Sequence, residues 1–210
     1  MRRLTTQAAV AFVAIAICAA IPSELVQAQP NRPEPEALTL DPATTALLIL
    51  DLSGRCDEPN QPCNGLVPVI SRALPKFRAS KVLTIYTISL SGVGTPQGDV
   101  WAGFSPRPAS EFVTAPDGSD KFAVGEIDRM LRERGITTVI VTGASANNAV
   151  LYTVSSGARN YGYEIVVPLD GTVAASDYEY DYTMHQFTVT SGVRERTRFT
   201  TLDMIRFGNW

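Results

Sequence analysis

Two places in this sequence combine residue types and spacing that can do chemistry. Asp51 follows the apolar run Thr45-Ala-Leu-Leu-Ile-Leu50 without a spacer. A carboxylate where a buried strand emerges is costly unless it has hydrogen-bond partners or a reaction to serve; an acid that caps the following turn is the competing reading. The second place is the polar segment Gly143-Ala-Ser-Ala-Asn-Asn148, between an apolar run and a stretch of helical spacing. The N-terminus of a helix offers backbone N–H groups without intrahelical partners, which suits a ligand cradle. Ser145, Asn147 and Asn148 are therefore ligand-binding candidates. Trp101 and Phe104, the large aromatics of the glycine-rich stretch 92–108, either line a pocket or anchor their loop by packing.

Positioning these groups requires an α/β framework. Thr137 to Thr142 is β-branched and apolar, the pattern of a strand buried on both faces of a parallel sheet. Val150, Thr153, Val154, Gly157, Ala158 and Tyr161 then recur at helical spacing, Gly162 stops the helix, and Glu164 to Pro168 is the next strand. A right-handed crossover makes those two strands parallel neighbours and places a ligand site beyond their C-terminal ends, near Gly143 to Asn148. Before them, a strand over Thr45 to Leu50, a helix over Leu66 to Ala79 and a strand over Lys81 to Thr87 are expected. Residues 88–120 are rich in glycine and proline and read as a loop-rich stretch with no strand assigned. A helix over Gly125 to Arg134, another near Tyr178 to Thr190 and a strand near Arg198 to Leu202 complete the expected set. No internal repeat or second-domain boundary is visible.

Other constellations are weaker. Ser145, Asp170 and His185 occur in the chain order of an α/β-hydrolase triad, but Asn147 replaces the second glycine of the nucleophile elbow and the Asp-to-His spacing is short. The segment 143–147 is not a dinucleotide fingerprint, and there is no P-loop. Neither a cofactor nor a metal is implied.

With 210 residues, 45% of them hydrophobic, the chain can bury one substantial core. Arg2 and Arg3 precede an apolar stretch from Ala8 to Ile21 that is too short to span a membrane and fits a secretory leader, with Val26-Gln-Ala28 as a cleavage site; an uncleaved anchor is the alternative. Residues 1–28 are thus expected to be a signal peptide, 29–40 a proline-rich extended tether, and 41–210 the domain. The net charge of −3 becomes one unit more negative without the leader, and no basic patch calls for nucleic acid. Export agrees with Cys56 and Cys63, which flank a short loop (CDEPNQPC) and are expected to form a disulfide in an oxidising compartment. A metal pair is the alternative, but no further ligands with suitable spacing accompany them.

Four stretches in order, LLILD ending at Asp51, DKF at 120–122 ahead of GEIDRMLRERGI, VIVTGASANNAVLYT and GYEIVVPLDGTVAAS, resemble the isochorismatase-like hydrolase (cysteine hydrolase) superfamily from about Thr45 to Asp203. The resemblance implies a three-layer α/β sandwich with a mostly parallel six-stranded sheet, and dimers or larger homo-oligomers. It also implies a catalytic aspartate, lysine and cysteine, whose positions here hold Asp51, Lys121 and Ala149. The lysine of relatives lies a few residues further ahead of its phenylalanine, and a methyl group cannot attack a carbonyl, so the thioester route is closed at this position. Ile88-Ser-Leu90 offers no histidines for the metal site of nicotinamidases. Cysteine-free relatives include isochorismatases that hydrolyse a vinyl ether by acid catalysis. Two functions are therefore expected: a hydrolase of a small polar metabolite with Asp51 as acid/base, Lys121 as its electrostatic partner and Asn147, Asn148 and Ala149 as the cradle, or a non-catalytic small-ligand binder on the same fold. An Asp51–Lys121 ion pair that merely ties two loops together stands beside both.

Overall fold

Every residue of Thr45–Leu50 is buried, and its side chains divide alternately between two cores. Ala46, Leu48 and Leu50 face one apolar cluster, Leu47 and Ile49 the other. A strand that is apolar at successive positions can be satisfied only with cover on both faces, which makes it the centre of a three-layer structure.

The computed structural model describes residues 32–208. The leader expected over residues 1–28, the first part of the tether and Trp210 lie outside the described residues. In chain order the elements are β1 (Leu38–Leu40), β2 (Thr45–Leu50), α1 (Val67–Ala79), β3 (Leu83–Thr87), β4 (Glu111–Thr114), α2 (Glu126–Arg132) and β5 (Thr138–Ala144). A π turn over Ala146–Val150 then runs into α3 (Leu151–Arg159), followed by β6 (Glu164–Pro168), β7 (Thr172–Val173), α4 (Asp177–Val189), β8 (Thr197–Thr200) and β9 (Ile205–Phe207). The main sheet has the order β4-β3-β2-β5-β6-β8, with the short β7 paired to the end of β5, and all its pairings are parallel. Helices α2, α3 and α4 cover one face through residues such as Leu131, Val154 and Phe187. Helix α1 covers the other through Ile70, Leu74 and Phe77, together with Phe104 and the two cysteines. This is the expected α/β sandwich. Among the described residues no helix is long and apolar enough to cross a membrane.

Three differences from the sequence reading have physical causes. The stretch 88–120 is not all loop: it contains β4, the edge strand, whose polar first residue Glu111 hides the pattern. Glu111 is buried because Arg78 Nε (2.6 Å) and Nη2 (2.9 Å), the Tyr86 hydroxyl (3.0 Å) and the Arg107 N–H (3.0 Å) all donate to it. The tether expected over 29–40 is extended but not free, since Leu38–Leu40 forms β1 parallel to β9 and Leu38 is buried. Three residues are too few to display an alternation. The last main-sheet strand stops at Thr200 rather than Leu202, where the chain turns and the Leu202 N–H donates to Asp170 Oδ1 (2.8 Å).

Cys56 and Cys63 are joined in a disulfide, with Cα atoms 5.2 Å apart. Replacing both by serine is expected to lower the stability of the oxidised protein by about 2.5 kcal/mol, the chain entropy of so short a loop, as read from denaturant unfolding. Burial alone would push the Glu111 carboxyl up, but the Arg78 guanidinium, the Arg107 N–H and the Tyr86 hydroxyl outweigh it and hold the group below its ordinary value. A depressed carboxylate stabilises the fold above its unfolded pKa and loses that contribution as pH falls through the folded value. Glu111→Gln is therefore expected to cost about 3 kcal/mol at neutral pH, with the gap between variant and wild type closing on acidification in pH-dependent unfolding.

Candidate active site

The end of β2 meets the end of β3 and the start of the α3 segment at Asp51. Its backbone is left-handed (φ 55°), a conformation that aspartate tolerates better than most residues. The Asp51 N–H still donates to the Thr87 carbonyl (3.0 Å), so the strand pairing continues to its last residue. The Thr87 hydroxyl donates to Asp51 Oδ1 (2.9 Å), and Lys121 Nζ lies 2.9 Å from Oδ2. The Lys121 side chain is 2% exposed and that of Asp51 24%, so the ammonium is sealed in while the carboxylate has one side open.

Lys121 comes from a distant part of the chain and is held by its neighbours. Its N–H donates to the Thr153 hydroxyl of α3 (3.2 Å), and Nζ also donates to the Gly118 carbonyl (3.2 Å). Phe122 is fully buried and stacks on Tyr161 and Tyr163, with ring centroids 5.1 and 5.5 Å away. Helix α3 lets it approach because residue 157 is glycine: a Cβ there would stand 2.8 Å from the Phe122 ring. At the end of β5, Gly143 (φ 124°) passes so close to β2 that a Cβ would stand 2.1 Å from the Leu50 carbonyl oxygen. Only glycine brings the segment after β5 this near the Asp51 corner.

In front of the corner is a cavity of about 250 Å³, lined by Asp51, by Ser53, Arg55, Gln61, Pro62 and Cys63 from the disulfide loop, by Ser89, Ser91, Gly92 and Gly98, and by Ala144 and Ser145. Among the charged side chains lining it, Asp51 is paired with Lys121, whereas Arg55 makes no side-chain hydrogen bond or ion pair among the described residues. Among the described residues no cluster of three or more His, Cys, Asp or Glu is arranged to hold a metal ion.

The structure brings some of the expected site residues together and not others. Asp51, Lys121 and Ser145 converge on the cavity corner. Ala149 lies within the π turn, is buried in the core and does not line the cavity. Asn148 is exposed, and its N–H is spent on the Ser145 carbonyl (3.1 Å), so it does not serve as a free cradle donor. Asn147 is tied by its amide to Glu179 of α4 (3.1 Å). Trp101 and Phe104 do not reach the cavity: they pack on each other at 5.1 Å, Phe104 is buried against Tyr86, and the Trp101 indole N–H donates to Asp57 (2.6 Å). Loop anchoring wins for both. His185 is exposed on α4 and Asp170 accepts from Leu202, so the Ser145-Asp170-His185 order assembles no triad. Sequence reasoning missed Thr87, Thr153 and Arg55; a threonine ending a buried strand beside an acid-ended one was the available signal for the first.

A family model described as Isochorismatase domain matches residues 45–196. The chain belongs to the isochorismatase family. The matched region starts at β2 and runs just past α4, so it contains the whole Asp51 corner. Among solved structures, this isochorismatase-family protein is similar to a cysteine hydrolase from Pseudomonas syringae pv. phaseolicola 1448A (19% identity over 81% of this chain and 94% of that one, TM-score 0.67). It is also similar to an isochorismatase family protein from Desulfovibrio vulgaris (24% identity, 76% and 95% covered, TM-score 0.66) and to a nicotinamidase from Staphylococcus aureus (21%, 75% and 98%, TM-score 0.64). At these identities the likeness is one of fold. Among curated proteins none matches the chain.

Thr87→Val keeps the shape of the side chain and removes the donor to Asp51 Oδ1. It is expected to cost about 1 kcal/mol in denaturant unfolding, the typical net contribution of a hydrogen bond, because the accepting carboxylate is partly exposed.

Proposed function

We infer that this protein is a hydrolase of a small polar metabolite that works without a cysteine nucleophile, with Asp51 as the acid/base group. The observation that carries this reading is the Asp51–Lys121 pair at 2.9 Å, with its carboxylate opening onto the cavity and its ammonium sealed behind it. Membership of the isochorismatase family supports hydrolysis as the reaction type.

In this reading Asp51 transfers protons to and from the substrate and the attacking water. The Thr87 hydroxyl and Lys121 hold one oxygen each, which fixes the plane of the carboxylate toward the cavity and leaves each oxygen further lone-pair capacity. Water supplies the new C–O bond, its proton passes to Asp51, and the same carboxyl returns a proton to the departing group. Ala149 stands where the resemblance places the nucleophilic cysteine of relatives. Cys56 and Cys63, the only cysteines among the described residues, are consumed in the disulfide. A covalent thioester intermediate is therefore not part of this mechanism. The apolar leader and the disulfide support an exported protein.

One observation favours the second reading, a non-catalytic binder on the same fold: the Asn148 N–H is occupied, so that part of the backbone provides no free oxyanion donor. Turnover separates the two. Screened against vinyl ethers, small amides and ureas, the wild type is expected to hydrolyse at least one compound, and Asp51→Asn to lose roughly hundredfold or more of that rate. Absence of turnover by the wild type, with ligand-induced thermal stabilisation retained, would establish the binder instead.

A further inference from the structure

Arg55 is a cation on a stiff wall with no ion-pair partner among the described residues. The Ser53 to Cys63 segment is pinned at several points. The Gly54 and Arg55 N–H groups donate to the Asp99 and Gln97 carbonyls (3.0 and 3.1 Å), Ser53 bridges Val100, and the Asn64 amide donates to the Cys56 carbonyl (2.9 Å). The disulfide closes the loop one residue beyond Arg55. The Arg55 guanidinium, like those of Arg72, Arg159 and Arg206, makes no hydrogen bond or ion pair among the described residues, and of these four only Arg55 lines the cavity in front of Asp51.

Charge accounting then decides what the cavity accepts. Asp51 is cancelled by Lys121 and the remaining lining side chains are neutral; the Ser145 hydroxyl is spent on Asn147 and the Ser89 and Ser91 hydroxyls bond each other (2.9 Å), so the Ser53 hydroxyl and one of that pair add polar donors. One uncompensated positive charge remains. We propose that Arg55 is the specificity-determining residue of this site and that the cavity binds a small monocarboxylate, with the guanidinium paired to the ligand carboxylate. The proposal rests on reading this cavity as the functional site and supplies the substrate class that the hydrolase reading leaves open. A singly charged anion matches the single free cation, whereas a phosphate dianion would bring excess negative charge next to Asp51. Arginine suits the task because its planar donors can meet both oxygens of a carboxylate.

The test compares matched ligands that the protein cannot hydrolyse: propionate and benzoate, their neutral counterparts propanol and benzyl alcohol, and inorganic phosphate. Binding to the full oxidised chain is measured by calorimetry at low ionic strength for wild type, Arg55→Gln and Arg55→Lys. The wild type is expected to prefer each carboxylate over its alcohol by about tenfold or more. Arg55→Gln should abolish that preference, Arg55→Lys restore part of it, and added salt weaken it. Equal binding of carboxylate and alcohol by the wild type, no binding of either, a carboxylate preference untouched by Arg55→Gln, or tighter binding of phosphate would each overturn the proposal. Arg55 is exposed, so loss of folding does not confound its variants. Turnover separates the two readings: a carboxylate preference that Arg55→Gln removes, with no turnover by the wild type, leaves the anion site standing and sinks the hydrolase. Turnover confined to neutral substrates does the reverse.

Discussion

An ammonium group with 2% exposure is tolerable only if its charge is met on the spot, and Asp51 meets it at 2.9 Å. Desolvating Lys121 costs several kcal/mol before any attraction is counted, and removing its partner would leave that cost uncompensated. The pairing requires the ends of β2 and β3, the turn before α2 and the first turns of α3 to arrive together. Thr87 supplies a donor to the acid, Gly118 a carbonyl to the ammonium and Thr153 an acceptor for the Lys121 N–H. The corner therefore works as a latch between the sheet and the helical layer above it, and its open side is the floor of the cavity.

The two faces of the sheet have different tasks. The face under α2, α3 and α4 carries the larger apolar cluster, and it buries Phe122 and Ala149. It positions Lys121 from behind and presents little to solvent. The other face carries α1 and the disulfide loop, which forms a cavity wall as well as part of the second core. Between them the edge strand β4 is secured by a buried carboxylate that Arg78, Tyr86 and the Arg107 backbone all address. Arg78 also donates to the Phe104 carbonyl (2.8 Å), which ties the glycine-rich segment to α1. The disulfide-loop wall is held by its covalent bridge and its backbone hydrogen bonds, and the floor by the bonds of Thr87 and Lys121 to Asp51.

The isochorismatase family supplies the frame. Where a thiol would be expected from the resemblance, a methyl group sits below the surface, and the cavity lies instead beside Asp51, Ser145 and the Arg55 wall. The acid, its ammonium and the cavity wall depend on different contacts: strand register for Asp51, aromatic stacking for Lys121 and a covalent staple for Arg55.

Much of this was legible in the sequence because it is local. Continuous apolar runs at 45–50, 137–142 and 164–168 encode strands buried on both faces, helical spacing encodes the covering helices, and a cysteine pair eight residues long in an export-compatible chain encodes its own bridge. Glycine positions such as Gly143 carry backbone geometry directly. What only the tertiary structure decided was which polar groups face one another. Strands β1, β4 and β9 exist through pairing and through Glu111 finding Arg78, contacts between residues far apart in the chain. Whether Trp101 and Phe104 lined a pocket or packed, whether Asn148 had a free N–H, and whether Arg55 had a partner depend on distances across loops, which no periodicity records. Side-chain type sets what a residue can do; only the packed arrangement determines which of those capacities is already spent.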